Sequence, residues 1–432
     1  MSTWHRSSAV LVVAGALLGA AACNNSESRP EAEPPTTTTT TVPRRPGIDG
    51  ALALGQLAPL TGSVSVIANA FTTPVGLAVE EMNLTGGVNG KPVGLIVADD
   101  GSALTTAVPS FTKLVDVDQV DAIIGPSSSE IAADLIPLAR KSQVVLCSGS
   151  NSAGALSSIR SGGFYFRTAP PDQVQADALA QLIVNDGRQR PVIIAPRDSY
   201  GVPFGGDLRR ELAAHGVNDT TLVTYRPAAD PGAAVERALE TDPDAIVVLG
   251  FPDGTAPALR TLAIQGKGPT QIPTYAADGL QSADLGLIVD PANPAVVAGL
   301  KGTTPAGVPA GIDHPFYVRM LAAGVEPFFS ASTYDCAILV GLAAIGAESD
   351  DPVKIRDQFA RNLRGKVECR AFLDCRTLLE AGRTIRYRGA FSKYDGFRVF
   401  EPNSGAFDIW TIGLDGRPVL APPDAQIVVP GS

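Results

Sequence analysis

The chain has 432 residues, 45% of them hydrophobic, and a formal net charge of -10. That acidic balance argues against nucleic acid as a partner, since phosphate binding needs a basic face. Only His215 and His314 lie beyond the leader, so acid–base chemistry would have to rest on carboxylates.

Arg6 and the free amine precede an unbroken small and apolar run, Ala9 to Ala22. A membrane span takes about 20 apolar residues, so this shorter run reads as a secretory signal peptide, residues 1–22. It stops at Ala20-Ala21-Ala22-Cys23. Small residues before a single Cys resemble the bacterial lipobox, in which the Cys becomes the lipidated first residue, although Leu18 stands two positions before the usual Leu. Plain cleavage, with Cys23 incidental, is the bland alternative. Residues 23–49 hold many Pro, six consecutive Thr and almost no apolar side chains. Such a segment cannot bury enough surface to offset its ordering entropy, and reads as an extended tether. The expected location is therefore the outer face of the cell membrane.

The remaining 380 or so residues exceed what one hydrophobic core usually serves, and imply two lobes. Strands are predicted at Leu52–Ala58, Val93–Ala98, Asp121–Ile124, Val144–Cys147, Val192–Ala195, Leu222–Tyr225, Ala245–Leu249 and Pro273–Ala276. Their near-continuous Val, Ile and Leu content fits parallel strands covered on both faces. Amphipathic helices alternate with them. Val174, Ala178, Leu179, Leu182 and Ile183 share one helical face, and Asn185-Asp186-Gly187 ends that helix. The alternation occurs twice, before and after about residue 169, with Phe164 to Pro171 as a crossing. The fold class is α/β with parallel sheets, and a pocket is expected where the carboxyl ends of the two sheets face each other.

Cys369 and Cys375 are six apart in a polar stretch, which outside the cytoplasm suggests a local disulfide rather than a zinc site. Cys147 and Cys336 sit in apolar surroundings and read as small buried hydrophobes, with a bond between them left open.

Several motifs then carry a resemblance. Gly55 to Gly62 (GQLAPLTG), Ala78 to Asp100, Ile123 to Ser129 (IIGPSSS) and Asp198-Ser199-Tyr200-Gly201 occur in the order and spacing of one family. The chain resembles the type I periplasmic binding proteins of the leucine/isoleucine/valine-binding family. Cys369 and Cys375 followed by Ile385-Arg386-Tyr387-Arg388-Gly389 resemble an actinobacterial branch. The resemblance implies two Rossmann-like lobes with parallel sheets, joined by three hinge crossings. Residues 50–169 and 301–388 would form lobe 1, and residues 170–300 and 389–432 lobe 2.

Ser127, Ser128 and Ser129 lie between a strand and a helical pattern, where Ser either caps the helix or helps bind an anion. The resemblance implies that Ser127, with Ser128 beside it, meets a ligand's α-carboxylate, and that Ser150 and Ser152 meet the same group. Otherwise residues 148–152 are an ordinary polar loop. Tyr200 and Phe251 would line the cleft from the second lobe, Phe251 standing where the family often has Tyr. Asp278, before Gly279, is a turn residue by composition and the partner of the ligand's α-ammonium by resemblance.

The expected function is a solute-binding protein of an ABC importer. It would capture an amino acid or similar small polar solute by hinge closure, as a monomer without cofactor or metal, and pass it to a membrane permease. No nucleophile elbow, zinc-protease motif or phosphate loop supports an enzyme. A ligand-sensing surface lipoprotein of the same fold is the alternative.

Overall fold

A computed structural model describes residues 48–431 except Ala228, Glu326 and Pro327, and these belong to one compact unit. The expected signal peptide, most of the expected tether and Cys23 lie outside the described residues.

The first sheet holds β1 (Ala53–Ala58), β2 (Gly94–Asp99), β3 (Ala122–Ile124), β4 (Val145–Ser148) and β5 (Tyr165–Arg167). Its order is β2-β1-β3-β4-β5 and every pairing is parallel. Side chains alternate across a strand, so one sheet serves two cores. Ala122 and Ile124 enter a core with the helices Ala68–Leu84 and Ser330–Gly346. Ile123 enters the opposite core, with the helices Leu104–Asp116 and Ser129–Ser142. The helix Ser330–Gly346 is buried along all but its last residue, as its all-round apolar and small composition requires.

The second sheet holds β6 (Pro191–Pro196), β7 (Thr221–Tyr225), β8 (Ala245–Val248), β9 (Thr274–Ala276) and β10 (Lys301–Pro305). After the small pair β11 (Val367–Cys369) and β12 (Ile385–Tyr387), it is completed by β13 (Gly405–Ile412), β14 (Pro418–Leu420) and β15 (Ile427–Val429). β6 to β10 are parallel, and β13 adds antiparallel to β10. Helices cover this sheet too: Asp172–Asn185 and Gly201–Ala214 on one face, Gly232–Leu239 and Pro252–Ile264 on the other.

The chain crosses between the sheets three times: after Arg167, after Pro305 and again before Gly405. Two boundaries expected from sequence are corrected. Residues 301–305, assigned to lobe 1, form a central strand of the second sheet, because β10 pairs both β9 and β13. Residues 389–400, assigned to lobe 2, remain with the first lobe, because Ala390, Phe391, Tyr394 and Phe397 are buried in its core.

Both cysteine pairs are bonded. Cys369–Cys375 closes a short loop beside β11. Cys147–Cys336 corrects the reading of two separate buried thiols. It joins β4 to the helix Ser330–Gly346 across 189 residues of sequence, with Cα atoms 5.9 Å apart.

Candidate functional site

The first half of the site forms where β3 and β4 end. Gly125 has φ +112°, and a Cβ there would lie 2.2 Å from the Leu57 carbonyl oxygen, so only Gly fits. Pro126 and Ser127 follow. The loop after β4 is bonded onto them. Ser148 Oγ donates to the Pro126 carbonyl at 2.9 Å, and Ser150 Oγ donates to the Ser127 carbonyl at 2.9 Å. Asn151, fully buried, donates to both carbonyls at 3.1 and 3.0 Å. A small cavity of about 10 Å³ opens here, among Gln56, Ser127, Gly149, Ser150 and Thr333. Gln56 Oε1 is buried with no hydrogen-bond partner.

The serines therefore divide. Ser127 lines the cavity, and both its N–H and its hydroxyl also bond the Asp100 carboxylate behind it. Ser150 lines the cavity too, but its hydroxyl holds Ser127 in place. Ser128 caps the helix Ser129–Ser142, accepting from the Ile131 N–H at 3.5 Å, which is the plain structural role.

The second half lies beyond β6, β8 and β9. Tyr200 precedes the helix Gly201–Ala214 and donates its hydroxyl to Asp278 Oδ1 at 3.4 Å. Its ring packs on Phe251, with centroids 5.1 Å apart. Phe251 is 56% exposed, an apolar ring on the rim of this half-site. Burial raises the Asp278 carboxyl above its ordinary range, opposed by the Gln175 amide, the Gly279 N–H and the Tyr200 hydroxyl.

Sequence reasoning missed the residue that links the halves. Asp172 opens the helix Asp172–Asn185 just after the first crossing, and is 4% exposed. Its N–H donates to the Ser152 carbonyl at 2.8 Å, so Ser152 belongs to the link rather than to the small cavity. Its Oδ1 has no hydrogen-bond partner. Burial first, and then the nearby Asp278 charge, push its carboxyl up to about 7, against the Ser152 hydroxyl and the Arg167 guanidinium. An Asp after Pro-Pro at a helix start looks like ordinary first-turn chemistry, which hid it. The only available signal was its position at the crossing.

Arg167 fixes this link. Fully buried, it donates to the Asn151 and Ala153 carbonyls at 3.1 and 2.9 Å and pairs with Glu401 at 2.6 Å. Residues from two crossings thus brace the loop after β4.

The arrangement offers hydroxyl and amide groups on one side and two crowded carboxylates on the other. Such a site suits a ligand with an acceptor at one end and a cation at the other. Among the described residues, no group of three or more His, Cys, Asp or Glu is placed to hold a metal ion. Nor is any described helix long and apolar enough to cross a membrane.

Comparison with known proteins agrees with this architecture. The family model for periplasmic binding proteins matches residues 51–360. A chemotactic signal transduction system substrate-binding protein from Halobacterium salinarum is 26% identical over 85% of this chain and 89% of its own length. An amino acid binding protein from Pseudomonas aeruginosa is 26% identical over 70% of this chain and 80% of its own. Among solved structures, a leucine binding protein from Thermotoga maritima superposes with a TM-score of 0.66 at 21% identity, covering 87% of this chain and 99% of that one. A branched-chain amino acid transporter substrate-binding protein from Streptococcus pneumoniae, in complex with isoleucine, gives 0.63 at 20%, covering 88% and 99%. These relatives are binding proteins rather than enzymes. The chain belongs to the type I periplasmic binding proteins of the leucine/isoleucine/valine-binding family, and its role is to bind a solute.

Proposed function

We propose that the chain is the extracytoplasmic solute-binding component of an ABC importer, capturing an amino acid or a similar small polar solute by closure of its two lobes. The observation that carries this reading is the buried Asp172 Oδ1, which has no hydrogen-bond partner and feels the charge of the half-buried Asp278. Two carboxylates that repel each other, one of them buried, are costly unless a cation arrives. An α-ammonium group supplies one. The ligand's carboxylate then meets the Ser127 hydroxyl near the Gly149–Ser150 turn. Compared with the expectation from sequence, the ammonium gains Asp172 as a second partner, and Ser150 and Ser152 become supports. Closure removes water from both ends and strengthens each pairing. The loaded form then docks on a membrane permease. Cys23 holds the monomer to the outer face of the membrane through its lipid.

A thermal-shift screen of residues 48–432 tests the reading, with L- and D-amino acids, small amides, urea and short-chain acids as the panel. A ligand at 100-fold its Kd adds about 2.7 kcal/mol, a shift of a few degrees. Stabilisation by an amino acid that Asp278→Ala abolishes supports the proposal. Stabilisation only by neutral or anionic solutes overturns the zwitterion assignment. Mass spectrometry of the exported chain reads the state of Cys23.

One observation favours a second reading, a sensor: the Halobacterium salinarum relative is named for chemotactic signalling. Uptake of the labelled ligand separates the two. Deleting the chain abolishes uptake for an importer and leaves it intact for a sensor.

A further inference from the structure

The carboxyl-terminal part of the first lobe carries a charge opposite to that of the chain. Residues 361–398 hold ten Arg and Lys against four Asp and Glu, a net +6 within a chain of net -10. On this same stretch lies a surface cavity of about 260 Å³, which shares no lining residue with the small cavity at the ends of β3 and β4. It is lined by the buried Leu363, Tyr394 and Phe397 together with Arg364, Arg386 and Asp395.

The hydrogen bonds show how charge is distributed around it. Arg388 takes both nearby acids, bonding Glu368 and Asp395 at 2.5 Å each. Arg364 and Arg386 are instead anchored by backbone. Arg364 Nη2 donates to the Phe397 carbonyl at 2.7 Å, and Arg386 Nε donates to the Gly365 carbonyl at 3.1 Å. The nearest carboxylate contact of Arg386 is Nη1 to Glu368 Oε1, at 3.9 Å. A guanidinium held by one carbonyl keeps further N–H donors in a fixed fork. The frame behind them is stiff: β11 pairs β12, and the Cys369–Cys375 bond closes the loop between them.

We propose that this cavity is a second binding site, for a phosphate group held between Arg364 and Arg386. A carboxylate is satisfied by one guanidinium fork, whereas a phosphate has oxygens enough to engage two. The cavity is larger than a phosphate alone requires, and its apolar lining by Leu363 and Phe397 takes the group that the phosphate is attached to. That group is a small phosphorylated solute or the headgroup of an anionic phospholipid. Neither the cleft nor Asp278 takes part.

The test uses residues 48–432 in two arms, inorganic phosphate by calorimetry and co-sedimentation with phosphatidylglycerol against phosphatidylcholine vesicles. Chloride at matched ionic strength is the control. Each arm compares the wild type with Arg364→Ala/Arg386→Ala and with Arg364→Lys/Arg386→Lys. Binding of phosphate, or of phosphatidylglycerol vesicles alone, is expected, and the first arm to respond names the source. The Ala pair is expected to lose it, and the Lys pair to weaken it by at least about tenfold, because Lys keeps the charge but not the fork. An unchanged melting temperature for both pairs shows that the fold is intact. No binding in either arm overturns the proposal. So does full binding by the Lys pair, which would reduce the site to diffuse charge. Cleft ligands stabilise all three proteins alike, so failure here leaves the amino-acid reading untouched, and the reverse holds too.

Discussion

The Tyr200 hydroxyl donates to Asp278 Oδ1 across 3.4 Å, joining the loops after β6 and β9 within the second lobe. The bond is long, and the carboxylate it touches is held above its ordinary range by burial. The Gln175 amide and the Gly279 N–H bond it as well, so Tyr200 helps to orient a carboxylate whose charge these neutral donors leave in place. Tyr200→Phe is expected to weaken ligand binding by about 0.5–1.5 kcal/mol, the net worth of one hydrogen bond. Asp278→Asn removes the charge itself and is expected to cost about 2–5 kcal/mol for a ligand bearing an ammonium group. Calorimetric titration of both variants checks the order; equal losses would mean that Asp278 does not pair with a cation.

The Asp172 carboxyl, pushed up to about 7, makes stability and binding depend on pH in opposite directions. Its folded value lies above the unfolded one, so its contribution to the free protein's stability is fully present below about 4 and is lost as pH rises through about 7. The span corresponds to a loss on the order of 4 kcal/mol. Asp172→Asn abolishes this dependence and is expected to be the more stable protein at pH 8. An ammonium-bearing ligand instead needs the ionised form, so wild-type affinity falls by up to about tenfold per pH unit below about 7. Thermal melts and titrations from pH 5 to pH 8 read both slopes. A flat affinity profile would remove Asp172 from the site.

Much of the frame was legible because parallel strands write themselves as apolar runs: all eight strands expected from Leu52 to Ala276 form within a residue or two. β10 was not, because Lys301-Gly302-Thr303-Thr304-Pro305 contains no apolar run. Gly302 is there because a Cβ would meet the Trp410 ring at 2.4 Å, a constraint that only the folded sheet reveals. Phe391, Tyr394 and Phe397 fill the first core from an irregular loop, where periodicity has nothing to report. In the candidate site, the residues at strand ends were nominated from motif order. Asp172, Asn151 and Arg167 were not, since each acts through a crossing that brings distant segments together.

The two disulfides should differ in weight. Cross-linking residues 189 apart removes far more freedom from the unfolded chain than closing a separation of six. A chain-entropy estimate gives about 5 kcal/mol for Cys147–Cys336 and about 2 kcal/mol for Cys369–Cys375. Cys147→Ala/Cys336→Ala is expected to lower the melting temperature more than Cys369→Ala/Cys375→Ala. The first pair should also weaken ligand binding, because Cys147 precedes the Ser148 loop and Ser332 Oγ, one turn before Cys336, donates to the Gly149 carbonyl at 2.6 Å. Differential scanning calorimetry, with titration of each variant, separates the two effects.

Asp335 supplies the sharpest stability test. It is fully buried in the helix Ser330–Gly346, with four donors on its two oxygens. Tyr387 and the Ala390 N–H meet Oδ1 at 2.7 and 2.8 Å; Tyr394 and the Phe391 N–H meet Oδ2 at 2.7 and 2.9 Å. Burial still raises its carboxyl, so the four bonds offset only part of the lost hydration. Those donors come from the stretch just before the third crossing, so one carboxylate ties that stretch to the central helix of the first lobe. Asp335→Ala orphans all four donors and is expected to cost at least about 3–5 kcal/mol. Asp335→Asn keeps the shape but turns one acceptor into a donor facing two donors, and is expected to recover less than half of that loss. Urea unfolding of the two variants measures it. A loss below about 1 kcal/mol for Asp335→Ala would mean that the 387–394 stretch is held by apolar packing alone.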